Sequence, residues 1–184
     1  EQPLVTMTEH GFMTQGAYYA IDDLVLATGF DAFTGALVRI DIRGRDGLPL
    51  KEKWSDGPAN YLGLTVAGFP NMFMLAGPGS PSVLSNMVIS IEQHVDWLSA
   101  CLGYLKSRGN ASIEAREDAK AKWVEHLVSL AQKTLIFRTK SWYTGANVSG
   151  KDNSYFMYMG GTNNYVREIT AAADASDYGG FIIK

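Results

Sequence analysis

The sequence predicts an α/β fold, and three features carry that prediction. Two short runs, Ile21 to Ala27 (IDDLVLA) and Met72 to Ala76 (MFMLA), are continuously apolar at their centres, as expected of strands covered on both faces. The second passes through Gly77-Pro78-Gly79-Ser80-Pro81-Ser82 into a long stretch of helical period. A second helical stretch and a closing apolar run, Phe181-Ile182-Ile183, then follow.

Taken in order, Leu4 to Thr8 reads as a short strand that turns at Glu9-His10-Gly11. Ile21 to Ala27 is the next strand, ended by Thr28-Gly29. Residues 31 to 70 are rich in Gly, Pro and Asp and predict a long irregular crossing, with one short strand at Leu37 to Ile42. After the strand Met72 to Ala76, Leu84, Met87, Val88, Ile91, Val95, Leu98, Leu102 and Leu105 recur at helical intervals. Ser82 or Ser85 can cap this helix, and Gly109 can close it in the left-handed conformation. A second helix is expected from a cap at Ser112. Glu114, Glu117 and Asp118 sit at its positive end, and Ala115, Ala119, Trp123, Leu127, Leu130 and Ala131 form one face. From Phe137 the chain reads as loop, with a short helix at Tyr165 to Ala173 and a strand at Phe181 to Ile183.

Composition narrows the function classes. The 184 residues suit one domain of ordinary size, and 46% hydrophobic against 19% charged residues supply a core and exclude disorder. A net charge of −3 offers no long-range field for nucleic acid or an anionic membrane, so neither is expected as a partner. The basic cluster Arg43, Arg45 and Lys51 reads as a solvated loop. One cysteine, Cys101, excludes an internal disulfide; its leucine neighbours predict a buried, inert thiol. No apolar run approaches the ~20 residues of a membrane span. The start Glu1-Gln2-Pro3 shows neither an initiator Met nor a signal pattern, and predicts a chain that begins mid-domain. Asn110-Ala111-Ser112 matches a glycosylation acceptor by chance.

The unit at 72–105 is the most informative physical feature. Strand, Gly/Pro loop and helix start bring the unpaired N–H groups and partial positive charge of a helix N-terminus to a sheet edge, where an electron-rich ring or an oxyanion can sit. Many α/β proteins contain this unit without a ligand, and GPGSPS lacks the G-x-G-x-x-G spacing of a dinucleotide fingerprint. No catalytic constellation stands out. His10, His94 and His126 lack the companions of a metal site, no serine lies in G-x-S-x-G, and Asp22 and Asp23 project to opposite faces of a strand. The loop Ser141-Trp142-Tyr143-Thr144-Gly145-Ala146-Asn147 either folds over a ligand, with the indole N–H as donor, or is anchored on the core by its aromatics.

Several segments together resemble Baeyer–Villiger monooxygenases of the cyclohexanone and phenylacetone monooxygenase type. They are Leu26-Ala27-Thr28-Gly29-Phe30-Asp31, Asn60-Tyr61-Leu62-Gly63-Leu64, Gly68-Phe69-Pro70-Asn71, Gly77 through Met87 continuing into Ser90-Ile91-Glu92-Gln93-His94-Val95, and Ser141-Trp142-Tyr143 with Gly145-Ala146-Asn147 and Gly150-Lys151. The first is common to many flavoproteins with two dinucleotide sites; the others in this order are specific. The resemblance implies the C-terminal part of such a flavoprotein, with a Rossmann-like FAD domain and the last strands of the NADP domain. Residues 1–30 would end the NADP-binding domain through the ATG linker, and 31–184 would be the C-terminal half of the FAD-binding domain.

It also implies a cytoplasmic enzyme that uses FAD and NADPH to insert one oxygen atom of O2 into ketones, giving esters or lactones. Asn86 and Met87 would meet FAD, Met87 through its backbone. Ser82, Val83 and Leu84 would line the substrate pocket, and Trp142 would close over NADP. The family's two dinucleotide fingerprints, the Phe/Gly/His/Trp signature between them and an Arg that acts at the flavin are not in these 184 residues. No catalytic residue and no metal ligand is therefore assigned here, and the partner implied is the remainder of the enzyme with its N-terminal FAD and NADP segments. Phe137-Arg138-Thr139-Lys140 departs from the Pro-containing segment expected before the SWY motif. The alternative is a non-catalytic binding or assembly module that completes a flavoprotein made with another chain.

Overall fold

A computed structural model describes residues 3–27, 29–109, 112–139, 141–146, 157–174 and 178–184. Thr28, Lys140, Asn147, Gly150 and Lys151 of the motifs above, and Asn110-Ala111, lie outside the described residues.

The chain opens with an antiparallel sheet of β1 (Leu4–Thr8), β2 (Gly11–Thr14) and β3 (Tyr18–Ala20), in that order. Only β1 is legible in the sequence. The turn into β2 depends on Gly11, where a Cβ would collide with the Tyr19 carbonyl, and Phe12 stacks on Tyr19 across the strands at 5.2 Å. Every residue of β1 is exposed.

Residues 22–27 are exposed and belong to no strand, which corrects the expectation of a buried strand at Ile21 to Ala27. The run has strand composition, but a strand is made by a ladder of partner hydrogen bonds, and Ile21 N donating to His10 O at 3.3 Å does not extend into one. Two further strands are corrected. Leu37 to Ile42 begins inside helix α1 (Gly35–Val38), and Met72 to Ala76 makes a single bridge, Phe73 with Thr65. The crossing at 31–70 is irregular as expected, interrupted by α1 and α2 (Leu50–Lys53).

Helix α3 (Met87–Ser107) follows a short 3-10 turn at Ser82–Leu84. Its cap is Asn86 rather than Ser82 or Ser85: Asn86 Oδ1 accepts from Val88 N at 3.0 Å and Ile89 N at 3.4 Å. Gly109, with φ +68°, closes the end in the left-handed region as expected. Strand β4 (Ile113–Ala115) stands where the second helix was expected to begin, and pairs antiparallel with β5 (Phe181–Ile183). Ser112 therefore caps no helix; its N–H donates to Lys184 O at 2.8 Å. Glu114 serves the crossing instead of a helix dipole, accepting from Arg45 Nε at 2.6 Å and Gly68 N at 2.9 Å. Helices α4 (Glu117–Ala131) and α5 (Thr162–Asp174) complete the fold.

One core joins α3, α4, α5, β4 and β5 around residues 62–67, through Trp97, Cys101, Trp123, Leu127, Tyr158, Tyr165 and Ile169. A smaller cluster, Leu50, Trp54, Val66, Phe69 and Met74, sits under the crossing. The buried face of α3 is Ser90, His94, Trp97, Cys101 and Leu105. The apolar stripe read from the sequence lies mostly on the other side. Val88 is 64% exposed, Val95 42% and Leu102 49%. Helix rotation follows the large groups: Trp97 Nε1 donates to Ile169 O at 2.9 Å and His94 is fully hydrogen-bonded, so burying them leaves the stripe outside.

An apolar helix face of that kind drives association. The isolated chain is expected to self-associate, and the triple substitution Val88→Lys, Val95→Lys, Leu102→Lys is expected to shift it several-fold towards monomer at unchanged helix content. Sedimentation velocity checks this; a wild-type chain that is monomeric at high concentration contradicts it.

Candidate functional site

A cavity of about 610 Å³ opens between the crossing, the segment 72–78 and the start of α3. Phe33, Leu37 and Ile42 form one wall, Met72 through Pro78 a second, and Val83 with Met87 the third; Trp142 lies across it. The walls are largely apolar side chains and backbone, so a ligand there would be weakly polar. Met87 opens a 21-residue helix, which adds the positive end of its dipole beside the cavity.

The loop from Gly77 to Ser80 is held from several sides. Asn60 is buried and its Nδ2 donates to Pro78 O at 2.6 Å. Trp123 Nε1 donates to Gly79 O at 3.3 Å, and Ser80 Oγ donates to Gly77 O at 2.7 Å. Gly63 packs directly on Ser80, where a Cβ would lie 2.5 Å from its backbone nitrogen. The Asn60-Tyr61-Leu62-Gly63 segment therefore buttresses the Gly/Pro loop.

Trp142 begins a one-turn helix, Trp142–Thr144, presented by a capping box. Ser141 Oγ accepts from Tyr143 N at 3.3 Å, and Thr144 Oγ1 accepts from Ser141 N at 3.4 Å. Gly145 ends the turn at φ +73°. The indole stacks on Phe33 at 5.5 Å and on Tyr143 at 4.0 Å, yet stays 40% exposed.

Val83, Met87 and Trp142 thus meet at one cavity. Leu84 lies outside its lining and is 44% exposed, Asn86 is occupied as the helix cap, and Ser82 contributes its backbone to the 3-10 turn.

Sequence reasoning missed His94. It is completely buried and takes Ala76 N–H on Nδ1 at 2.9 Å, with Nε2 2.7 Å from Tyr165 Oη. Burial holds its pKa down at about 4. The helical spacing placed His94 on α3 but could not show which face is buried. Cys101 is buried as expected, and burial pushes its thiol up to about 11. Arg45, read as part of a solvated basic loop, is paired with Glu114. A second, more open cleft of about 590 Å³ lies over Tyr61, Trp123, His126 and Glu168, and its lining includes none of Val83, Met87 and Trp142. No three His, Cys, Asp or Glu side chains converge as a metal site among the described residues, and no described helix is long and apolar enough to cross a membrane.

No family model matches the chain. Cyclohexanone 1,2-monooxygenase of Acinetobacter sp. is 39% identical over 183 residues, 99% of this chain and 33% of that protein. Acetone monooxygenase (methyl acetate-forming) of Gordonia sp. is 40% identical over 185 residues, covering 100% of this chain and 34% of its own length. The crystal structure of cyclohexanone monooxygenase from Rhodococcus sp. Phi1 bound to NADP+ superposes with a TM-score of 0.85 at 40% identity, over 100% of this chain and 34% of that one. In sequence and in fold the chain matches Baeyer–Villiger monooxygenases, and it spans about a third of the length of the relatives it matches.

Proposed function

We propose that the chain is the C-terminal part of an FAD- and NADPH-dependent Baeyer–Villiger monooxygenase that converts ketones to esters or lactones with O2. The observation that carries this is the convergence of Val83, Met87 and Trp142, distant in sequence, on one apolar cavity beside the start of α3. The cavity fits a flavin ring: its walls are apolar, and the positive helix end suits the ring's electron-rich edge. Bound there, FAD would supply oxygen activation, with NADPH as its reductant.

The chain's own residues bind, orient and exclude water. The start of α3, with Met87, would face FAD, with Asn86 fixing that helix end. Ser82, Val83 and Leu84 would border the ketone, and Trp142 would close over NADP. Residues 1–30 would end the NADP-binding domain and 31–184 would be the C-terminal half of the FAD domain. That division is supported by both cores, whose residues all lie beyond residue 36. The remainder of the enzyme, with its N-terminal FAD and NADP segments, would be the partner. A cytoplasmic setting goes with the reading, since NADPH is a cytosolic reductant. The alternative, a non-catalytic assembly module, draws on the exposed apolar face of α3.

Trp142 separates the roles of the two loops. In the full-length enzyme, Trp142→Ala removes one directed donor and a stacking surface, and is expected to raise the KM for NADPH about tenfold. It is also expected to increase NADPH oxidation without product, because the site is less well sealed. Val83→Ala, in the cavity wall, is expected to change ketone preference instead. Steady-state kinetics with hydrogen peroxide counted against lactone decides: a Trp142→Ala enzyme with unaltered NADPH use and coupling overturns the assignment.

A further inference from the structure

Two non-glycine residues next to the Gly/Pro loop sit in the left-handed region: Leu62 at φ +58° and Ala76 at φ +51°. Such backbone persists only where its surroundings hold it. One side-chain pair holds both. Tyr165 Oη donates its single proton to Leu62 O at 2.6 Å. His94 Nε2, 2.7 Å from Tyr165 Oη, must then be the donor of that pair. His94 Nδ1 accepts from Ala76 N at 2.9 Å and so carries no proton. The imidazole is therefore neutral, in its Nε2–H tautomer, with both nitrogens satisfied; burial, which holds its pKa down at about 4, acts in the same direction.

Ala76 is also a wall of the 610 Å³ cavity, in the run that continues through Gly77 and Pro78. Helix α3 thus touches that cavity twice, at Met87 directly and one face further along through His94 and the Ala76 N–H. We propose that His94 is a positioning residue for this pocket: the chain Ala76 N–H to His94 to Tyr165 to the Leu62 carbonyl holds residues 75–78 and their Asn60–Gly63 buttress in the shape the bound ring requires. The inference rests on the flavin-pocket reading above and assigns no chemical step to His94. It identifies the contact that matters as the one with Ala76, because that bond alone touches the pocket wall.

Two substitutions split the imidazole's two bonds. In His94→Asn the amide oxygen falls near Nδ1 and can accept from Ala76; in His94→Gln the amide nitrogen falls near Nε2 and reaches Tyr165 instead. The test uses the full-length enzyme, with kcat measured per bound flavin, the flavin absorbance band recorded, and melting temperature followed in parallel. His94→Gln and His94→Phe are expected to lose on the order of tenfold in kcat per flavin and to shift the band, since a buried N–H is left unpaired beside the ring. His94→Asn is expected to recover most of both. If His94→Phe does not fold, the Asn and Gln pair still decides. The proposal is overturned if Asn and Gln behave alike, or if kcat per flavin and the band stay at wild-type values while only the melting temperature falls. A wild-type enzyme purified without any flavin overturns the pocket reading itself, and this proposal with it.

Discussion

Replacing Trp123 by alanine is expected to destabilise the chain by about 3–5 kcal/mol, the range for deleting a buried tryptophan. Trp123 is 6% exposed and stands at the centre of the main core. It stacks on Tyr158 at 5.7 Å, meets Tyr61 edge-on at 6.5 Å and lies 6.2 Å from Tyr165. These partners come from the crossing, from α5 and from the segment before it, so the cavity left behind cannot be closed by moving one element. The indole N–H also holds the Gly79 carbonyl, which links the core of α4 to the Gly/Pro loop of the site. Trp123→Phe keeps ring contact but loses that donor, and is expected to cost about 1–2 kcal/mol for the bond and the lost area. Urea unfolding followed by circular dichroism measures both. A loss below about 1 kcal/mol for Trp123→Ala would mean the core repacks around the site, and the hub role would fall.

The 184-residue chain by itself is expected to bind FAD at least about a thousandfold more weakly than the full-length enzyme, a difference of about 4 kcal/mol. The cavity presents the walls at 33–42, 72–78 and 83–87, which suit one face of a ring. No G-x-G-x-x-G turn for a pyrophosphate occurs in this sequence. The stripe Val88, Val95 and Leu102 is exposed, together with Leu24 through Leu26. Adding, as a separate polypeptide, the part of a relative's length that this chain does not span is expected to restore tight binding. Titration followed by flavin absorbance checks this, and a submicromolar Kd for the chain alone would sink the idea. Both predictions read the molecule as a well-packed half-site.

The sequence alone determined that there are two long helices and where their faces repeat, because helical period is a local property. Trp123, Leu127 and Ala131 are buried together as that period requires. It also placed Leu4–Thr8, the Gly109 stop, the 165–173 helix and the closing strand Phe181–Ile183, and the motif order carried the family. It did not determine which face of α3 is inside. Apolarity favoured the stripe through Val88, Val95 and Leu102, whereas the fold buries His94 and Trp97 because each finds hydrogen-bond partners on α5. Nor did it determine the strands. LVLA and MFMLA have strand composition, yet pairing requires a neighbour, and Ile113–Ala115 became one only because residues from the far end of the chain lie beside it. Tertiary structure likewise decided the site. Val83 and Met87 lie close in sequence, but Trp142 joins them through a capping box and a stack on Phe33, while Leu84 is not part of the lining. Local sequence sets helical period and the glycine stop; which groups become neighbours depends on burial and on hydrogen bonds between segments far apart in the chain, and those exist only once it is packed.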